Sequence, residues 1–295
     1  IQDELDSLNE AGLYNRIRTL SSAQGAWLVV DGERVLNFCS NNYLGLTNHP
    51  EVIEAIHKAV DKYGSGCTGS RFLNGTLDIH VKLEEELADF MNREAALVFS
   101  TGFQTNLGTI STLVGKDDTI FGDRANHASI VDGCRLVFGK FEKYKHNDMA
   151  DLERVLTKND SSRGKLIATD GVFSMEGDIA DLPKITELAT KHNARLMVDD
   201  AHSIGVLGDN GRGTAEHFHV EDKVDIIMGT FSKSFASLGG FIAADDDIIH
   251  YIKHHSRALI FSASPPPAAV AAVRATLKIL QSEPQRRTRL WEITR

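Results

Sequence analysis

The sequence predicts an α/β fold with a mostly parallel central sheet flanked by helices. Three observations lead there. Short, almost wholly apolar runs recur along the chain, such as Ala95-Ala-Leu-Val-Phe99, Lys165-Leu-Ile-Ala-Thr169 and Arg195-Leu-Met-Val198. Strands this apolar are buried on both faces, as in a parallel sheet. Segments of helical period, such as 148–157 and 182–192, lie between them. The residues that follow the runs are polar and chemically capable: Ser100-Thr-Gly102, Asp170-Gly171, Asp199-Asp-Ala-His202 and Gly229-Thr-Phe-Ser-Lys-Ser234. Ligands of open α/β sheets bind at such carboxyl ends.

Taken in order, Leu5, Leu8, Leu13 and Ile17 suggest an amphipathic N-terminal helix. Trp27-Leu-Val-Val30 and Arg34-Val-Leu-Asn-Phe38 flank Asp31-Gly32, which reads as a tight hairpin. Ser40-Asn-Asn-Tyr-Leu-Gly45 is a turn-rich loop. A helix opens at His49-Pro50, where Pro suits the first turn, and stops before Gly64. A helix over 78–92 precedes the first apolar run, and another starts near Gln104. Further strands are expected at Thr119-Ile-Phe121, 165–169, 195–198 and Val224-Asp-Ile-Ile-Met228, and a last helix over about 266–282, after Pro265-Pro-Pro267. The expected divisions are an N-terminal helix and hairpin segment (1–45), a large α/β domain (46–265) and the start of an incomplete C-terminal domain (266–295).

Composition narrows the function. The 295 residues suffice for one large domain, or a large one with a small one. A net charge of −9, with only one short basic segment at 285–289, argues against nucleic acid as a partner. Cys39, Cys67 and Cys134 are scattered and form no CxxC pair, so a reducing cytoplasm is expected rather than a disulfide framework or a cysteine zinc site. The first residues lack the pattern of a secretory leader, and no apolar run approaches the ~20 residues of a membrane span.

The chemistry concentrates at the strand ends. Lys233 follows a buried strand, among small hydroxyl residues and before the small, apolar Ser237-Leu-Gly-Gly-Phe-Ile242. Desolvation there would lower its pKa and free its lone pair, as Schiff-base chemistry needs. Thr230 and Ser232 could hold a phosphate. A solvated loop lysine is the alternative, whereas a Walker loop would need a glycine before Lys233. Asp199 could pair with a protonated pyridine nitrogen, and His202 could reach a phenolic oxygen on the same ring. Asp199, Asp200 and His202 could instead bind a metal, or Asp199 could cap a helix. Thr101-Gly102-Phe103 reads as a helix start with backbone N–H groups aimed at an anion. His127 could stack on an aromatic ring, or simply pack at a helix start capped by Asn126. Gly64-Ser-Gly66-Cys-Thr-Gly69 matches the dinucleotide pattern by letter only, since a helix precedes it and a loop follows. Asn74-Gly-Thr76 is a formal glycosylation sequon without a secretory signal.

Six segments, in order, resemble the α-oxoamine synthases, pyridoxal phosphate (PLP) enzymes of the aspartate-aminotransferase fold (fold type I). They are Asn41-Asn-Tyr-Leu-Gly45, 64–76, Asn126-His-Ala-Ser-Ile-Val-Asp-Gly133, 169–177, Val198-Asp-Asp-Ala-His202 and Gly229-Thr-Phe-Ser-Lys-Ser234. The resemblance implies a PLP cofactor and roles for matching residues. Lys233 would be the Schiff-base lysine, Asp199 the partner of the pyridine nitrogen and His202 that of the phenolic oxygen. His127 would stack on the ring and orient the substrate carboxylate, near Asn42. Gly102, Phe103, Thr230 and Ser232 would hold the phosphate, and Ser262 would reach that of a neighbouring subunit in a homodimer with shared active sites. The implied reaction joins an amino acid to an acyl-CoA. Lys233 removes the Cα proton, the carbanion attacks the thioester, CoA leaves and the carboxylate is lost. Gly66-Cys-Thr-Gly-Ser-Arg-Phe-Leu-Asn-Gly75 and 229–234 look most like members that join L-serine to a long-chain acyl-CoA, making 3-ketosphinganine for sphingolipids. Members using glycine or alanine share the catalytic residues. The resemblance also implies a C-terminal domain of roughly another hundred residues that usually carries a carboxylate-binding arginine. Outside the family, an inactive scaffold of the same fold and a metal-dependent hydrolase at Asp199, Asp200 and His202 remain open.

Overall fold

A computed structural model of the chain describes residues 1–14 and 17–295. It contains two compact units, Ile1–Ser40 and Asn41–Arg295.

In the first unit, α1 (Gln2–Glu10) ends earlier than the sequence suggests. Gly12 adopts φ +67°, and Leu13 N–H turns back to Leu8 O at 2.8 Å. This is a glycine-closed helix stop, and it leaves Leu13 and Ile17 outside the helix. Strands β1 (Trp27–Val30) and β2 (Glu33–Leu36) form the expected hairpin, with Val30 opposite Glu33. Asp31 and Gly32 both have positive φ, the conformation that lets a two-residue turn follow the strand twist.

The second unit opens with α2 (Pro50–Tyr63) and α3 (Asp78–Met91), then alternates. β3 (Ala95–Phe99) leads to α4 (Gly102–Leu113), and β4 (Thr119–Asp123) to α5 (Ala128–Arg135). β5 (Lys140–Tyr144) leads to α6 (Met149–Lys158), β6 (Lys165–Asp170) to α7 (Leu182–Lys191), and β7 (Arg195–Asp199) to the short α8 (Thr214–His217). After β8 (Ile226–Thr230) and β9 (Gly240–Ala244) come α9 (Asp246–His255), α10 (Arg257–Ile260), α11 (Pro267–Ser282) and α12 (Gln285–Thr294).

The seven strands lie in the order β3-β9-β8-β7-β6-β4-β5. All pairs from β5 to β8 are parallel, and only β9 runs against its neighbours. Neither β5 nor β9 was expected from sequence. β5 is a polar edge strand, Lys-Phe-Glu-Lys-Tyr, and β9 begins at Gly240 within a run read only as small and apolar. β8 begins two residues later than expected and takes in Gly229 and Thr230.

Side chains alternate between two cores, as the strand repeat of two requires. Val98, Ile167, Leu196, Val198 and Ile227 pack on one face, under α2, α3, α6, α7 and α11. Leu97, Phe99, Leu166, Met197 and Met228 pack on the other, under α4, α5 and α9. Each fully buried side chain of this kind contributes roughly 1.5–3 kcal/mol. The 64–76 loop is stapled to this frame. Buried Arg71 forks onto Glu84 of α3 at 2.7 and 2.9 Å, and Glu84 also accepts Val98 N–H of β3 at 3.0 Å.

Candidate active site

The carboxyl ends of β3, β6, β7 and β8 face the same edge of the sheet, and a cavity of about 250 Å³ opens there. Strand register puts Asp170 directly across from Asp199, so two buried carboxylates form the floor. Asp170 accepts His127 N–H at 2.7 Å. Burial, and then the charge of Asp199, raise the Asp170 pKa far above the ordinary carboxylate range. Asp199 accepts Asn106 Nδ2 at 2.7 Å and Ala201 N–H at 3.0 Å. Its carboxylate is held from below and beside, and it caps no helix.

Lys233 enters from the segment that joins the adjacent strands β8 and β9, and it lines the cavity. Burial lowers its pKa, while Asp199 and Asp170 pull the other way. The expectation of a partly desolvated lysine therefore holds, with two carboxylates as counterweight. His202 follows β7. Its Nδ1 lies 2.7 Å from the Tyr43 hydroxyl, and burial, Lys233 and His127 push its pKa down to about 4. The ring is neutral at physiological pH. Burial raises the Tyr43 pKa, so the phenol also stays neutral.

One wall suits an anion. Thr101 caps α4 by accepting Gln104 N–H at 3.1 Å, which leaves the N–H groups of Gly102 and Phe103 at the open helix end. Such orphan donors, with the helix dipole behind them, favour a phosphate. Thr230 and Ser232 stand beside them, their hydroxyls 3.0 Å apart. A Cβ on residue 102 would meet Thr230 Oγ1 at 2.7 Å, so only glycine lets the helix end come this close. Donors for a phosphate, a lysine amine and a carboxylate for a ring nitrogen thus share one cavity. That donor set fits PLP.

The cavity brings together Gly102, Phe103, His127, Asp199, His202, Thr230, Ser232 and Lys233. It does not take in Asn42 or Ser262. Asn42 is engaged in its own loop, donating to Thr47 Oγ1 at 2.8 Å and accepting Leu46 N–H at 2.9 Å. Ser262 Oγ accepts from Gln104 Nε2 at 3.1 Å. The N-cap of α5 is His127, whose Nδ1 accepts Ser129 N–H, and not Asn126. Asn126 instead ties β4 to β6 through Ala168 O and Asp170 N–H. Asp170 was legible only as a polar strand end, and Asn106 and Ser129 carried no signal because they read as ordinary helix positions.

The metal arrangement is contradicted by geometry. Asp200 points away and accepts Ser203 Oγ, Thr214 Oγ1 at 2.6 Å and Thr214 N–H at 3.0 Å. Among the described residues no group of three His, Cys, Asp or Glu could hold a metal ion.

Residues 33–295 match the model of the family described as aminotransferase class I and II, and the chain belongs to that family. It is 55% identical over 290 residues to a serine palmitoyltransferase of Sphingobacterium spiritivorum, covering 98% of this chain and 73% of that protein. It is 49% identical over 289 residues to an 8-amino-7-oxononanoate synthase of Thermosipho melanesiensis, covering 98% and 74%. A solved serine palmitoyltransferase from S. paucimobilis with a bound PLP–myriocin aldimine superposes with a TM-score of 0.94 at 37% identity, over 99% of this chain and 74% of that one. Within its family the chain is thus a PLP-dependent α-oxoamine synthase, an acyltransferase.

Proposed function

We propose that this enzyme joins L-serine to a long-chain acyl-CoA such as palmitoyl-CoA, releasing CoA and CO2 and forming 3-ketosphinganine for sphingolipid synthesis. The observation that carries the substrate choice is the order of similarity. Four serine palmitoyltransferases stand at 50–56% identity, above 8-amino-7-oxononanoate synthases at 47–49%.

PLP supplies an electron sink that makes the amino acid Cα acidic. In the proposed site Lys233 tethers the cofactor, then takes and returns the Cα proton; its lowered pKa supports both tasks. Asp199 holds the ring nitrogen and His202 the phenolic oxygen. His127 covers the ring and, with Asn42, orients the substrate carboxylate. Gly102, Phe103, Thr230 and Ser232 grip the phosphate. Ser262, outside its own cavity, serves that of the partner in a homodimer with shared sites. The exposed free thiol of Cys39 supports a reducing compartment such as the cytoplasm.

The test is a visible absorbance titration of the PLP-loaded protein with L-serine, glycine and L-alanine, followed by product analysis with palmitoyl-CoA. A spectral shift selective for L-serine, with 3-ketosphinganine as product, supports the proposal. Selectivity for L-alanine with a dicarboxylic acyl-CoA would move the enzyme to the 8-amino-7-oxononanoate synthases. Selectivity for glycine with acetyl-CoA would make it a glycine C-acetyltransferase.

A further inference from the structure

We propose that Asn106 and Ser129 are positioning residues, forming a hydrogen-bond relay from Asp199 that fixes His127 as the Nε2–H tautomer and presents that N–H to the cavity. The direction of each link follows from which groups can donate. Asn106 Nδ2 lies 2.7 Å from Asp199 Oδ2 and 2.8 Å from Ser129 Oγ. The carboxylate of Asp199 accepts here, as it does from Ala201 N–H, so it is the nitrogen of the amide that faces Asp199. Its second N–H then donates to Ser129 Oγ, which leaves the serine proton free to donate onward. Ser129 Oγ is 2.7 Å from His127 Nδ1. The backbone N–H of Ser129, which can only donate, also points at Nδ1, at 3.3 Å. Two donors converge on Nδ1, so its lone pair is in use and the ring proton resides on Nε2. Among the described residues nothing is hydrogen-bonded to Nε2, and the ring lines the cavity.

The relay is buried where it must be rigid. Asn106 is fully buried and Ser129 nearly so, whereas His127 is exposed at the mouth. Asn106 Oδ1 is itself buried without a partner, so the amide gives up an acceptor bond to keep both N–H groups on Asp199 and Ser129. The main chain of His127 is pinned separately to Asp170. The other charged or titratable groups facing the ring across the cavity are Lys233, Asp199 and His202. A fixed Nε2–H is a donor for an anion. The opposite tautomer would turn a lone pair towards it. That Nε2–H meets the amino acid's carboxylate rests on the reading given under Proposed function; the relay itself does not.

The test is histidine 15N NMR of the PLP-loaded protein, with His127 assigned through His127→Gln, on wild type, Ser129→Ala and the isosteric Asn106→Asp. The last replaces the donor facing Ser129 with an acceptor, so the serine proton is drawn away from His127. The expected wild-type signature is an unprotonated Nδ1 and a protonated Nε2. Asn106→Asp, in which Ser129 Oγ turns from donor to acceptor towards Nδ1, should populate the other tautomer, whereas Ser129→Ala, which keeps the backbone N–H on Nδ1, should only shift the His127 signature part of the way. Both should weaken L-serine binding about 3- to 10-fold, the loss of one hydrogen bond's contribution, with the cofactor spectrum retained. A protonated Nδ1 in wild type overturns the relay, and so does an unchanged His127 signature in a folded, PLP-loaded variant. If Ser129→Ala does not fold, Asn106→Asp carries the test. Failure of the serine reading would show separately, as a wild type that ignores L-serine while the His127 signature stands.

Discussion

Lys233 works under opposed influences. Burial destabilises its charge, while Asp199 and Asp170 restore part of it. Lys233→Ala is expected to fold normally by circular dichroism and to lose about 10²- to 10⁴-fold in kcat/KM, the range of a positioned proton-transfer group. His202 makes a pH prediction. Its folded pKa of about 4 lies below the ordinary 6.5. Between those values the unfolded chain binds more protons, so the stability this group contributes is complete above pH 6.5 and is lost as pH falls towards 4. Asp200 has the opposite sign. Its pKa is raised from 3.8 to about 6, so its contribution is present below 3.8 and lost as pH rises through 6. Urea midpoints across pH 4–6.5 should therefore fall less steeply in His202→Gln than in wild type. Lys233, Asp199 and His202 were legible in sequence because their residue types are odd choices just past apolar strands. Asn106 and Ser129 were not, because a buried amide and a buried hydroxyl acquire meaning only when another element brings them a partner.

Helices and central strands were readable because their periodicity is strong and their ends are marked. Pro50 opens α2, and Gly64 follows its last residue. What escaped was set by neighbours. β5 is polar enough to pass for loop, and it is a strand because β4 offers it a parallel edge. β9, Gly-Phe-Ile-Ala-Ala, opens on a Gly-Gly pair that hides its start, and it is a strand because both β3 and β8 pair with it. Gly240 itself must lack a side chain, since a Cβ there would meet Thr105 Oγ1 at 2.5 Å. Elements are also tied by charge. The fork between Arg71 and Glu84 is largely shielded from water, at 5% and 13% side-chain exposure. Breaking one side of such a pair strands the other, so Glu84→Gln should cost about 3–5 kcal/mol in urea denaturation. Replacing both residues with apolar side chains of similar volume should cost much less.

At the scale of the whole molecule, the sheet divides the second unit into two cores whose residues alternate along each strand. Ile167, fully buried at the centre of β6, belongs to the core under α2, α3 and α11. Ile167→Ala should destabilise the protein by about 2–5 kcal/mol, read as a lower urea midpoint with little change in slope. Fold class was open to sequence reading because it depends on the sum of many apolar runs. The reversed direction of β9 was not, since no single run encodes the direction of its partners.

The place of β9 between β3 and β8 governs when the cavity can first exist. β3 emerges early from the ribosome, yet it pairs with β9, Ala95 facing Ala244, after nearly all the other strands have been made. Gly102 and Thr230, which meet across the anion wall, come from the two sides of that late closure. Until β9 is made, β3 and β8 therefore lack the strand that pairs with both. The anion wall is not assembled until β9 joins them. Pairings so distant along the chain close slowly, so the capacity to acquire PLP should wait on the joining of β9 to β3 and β8.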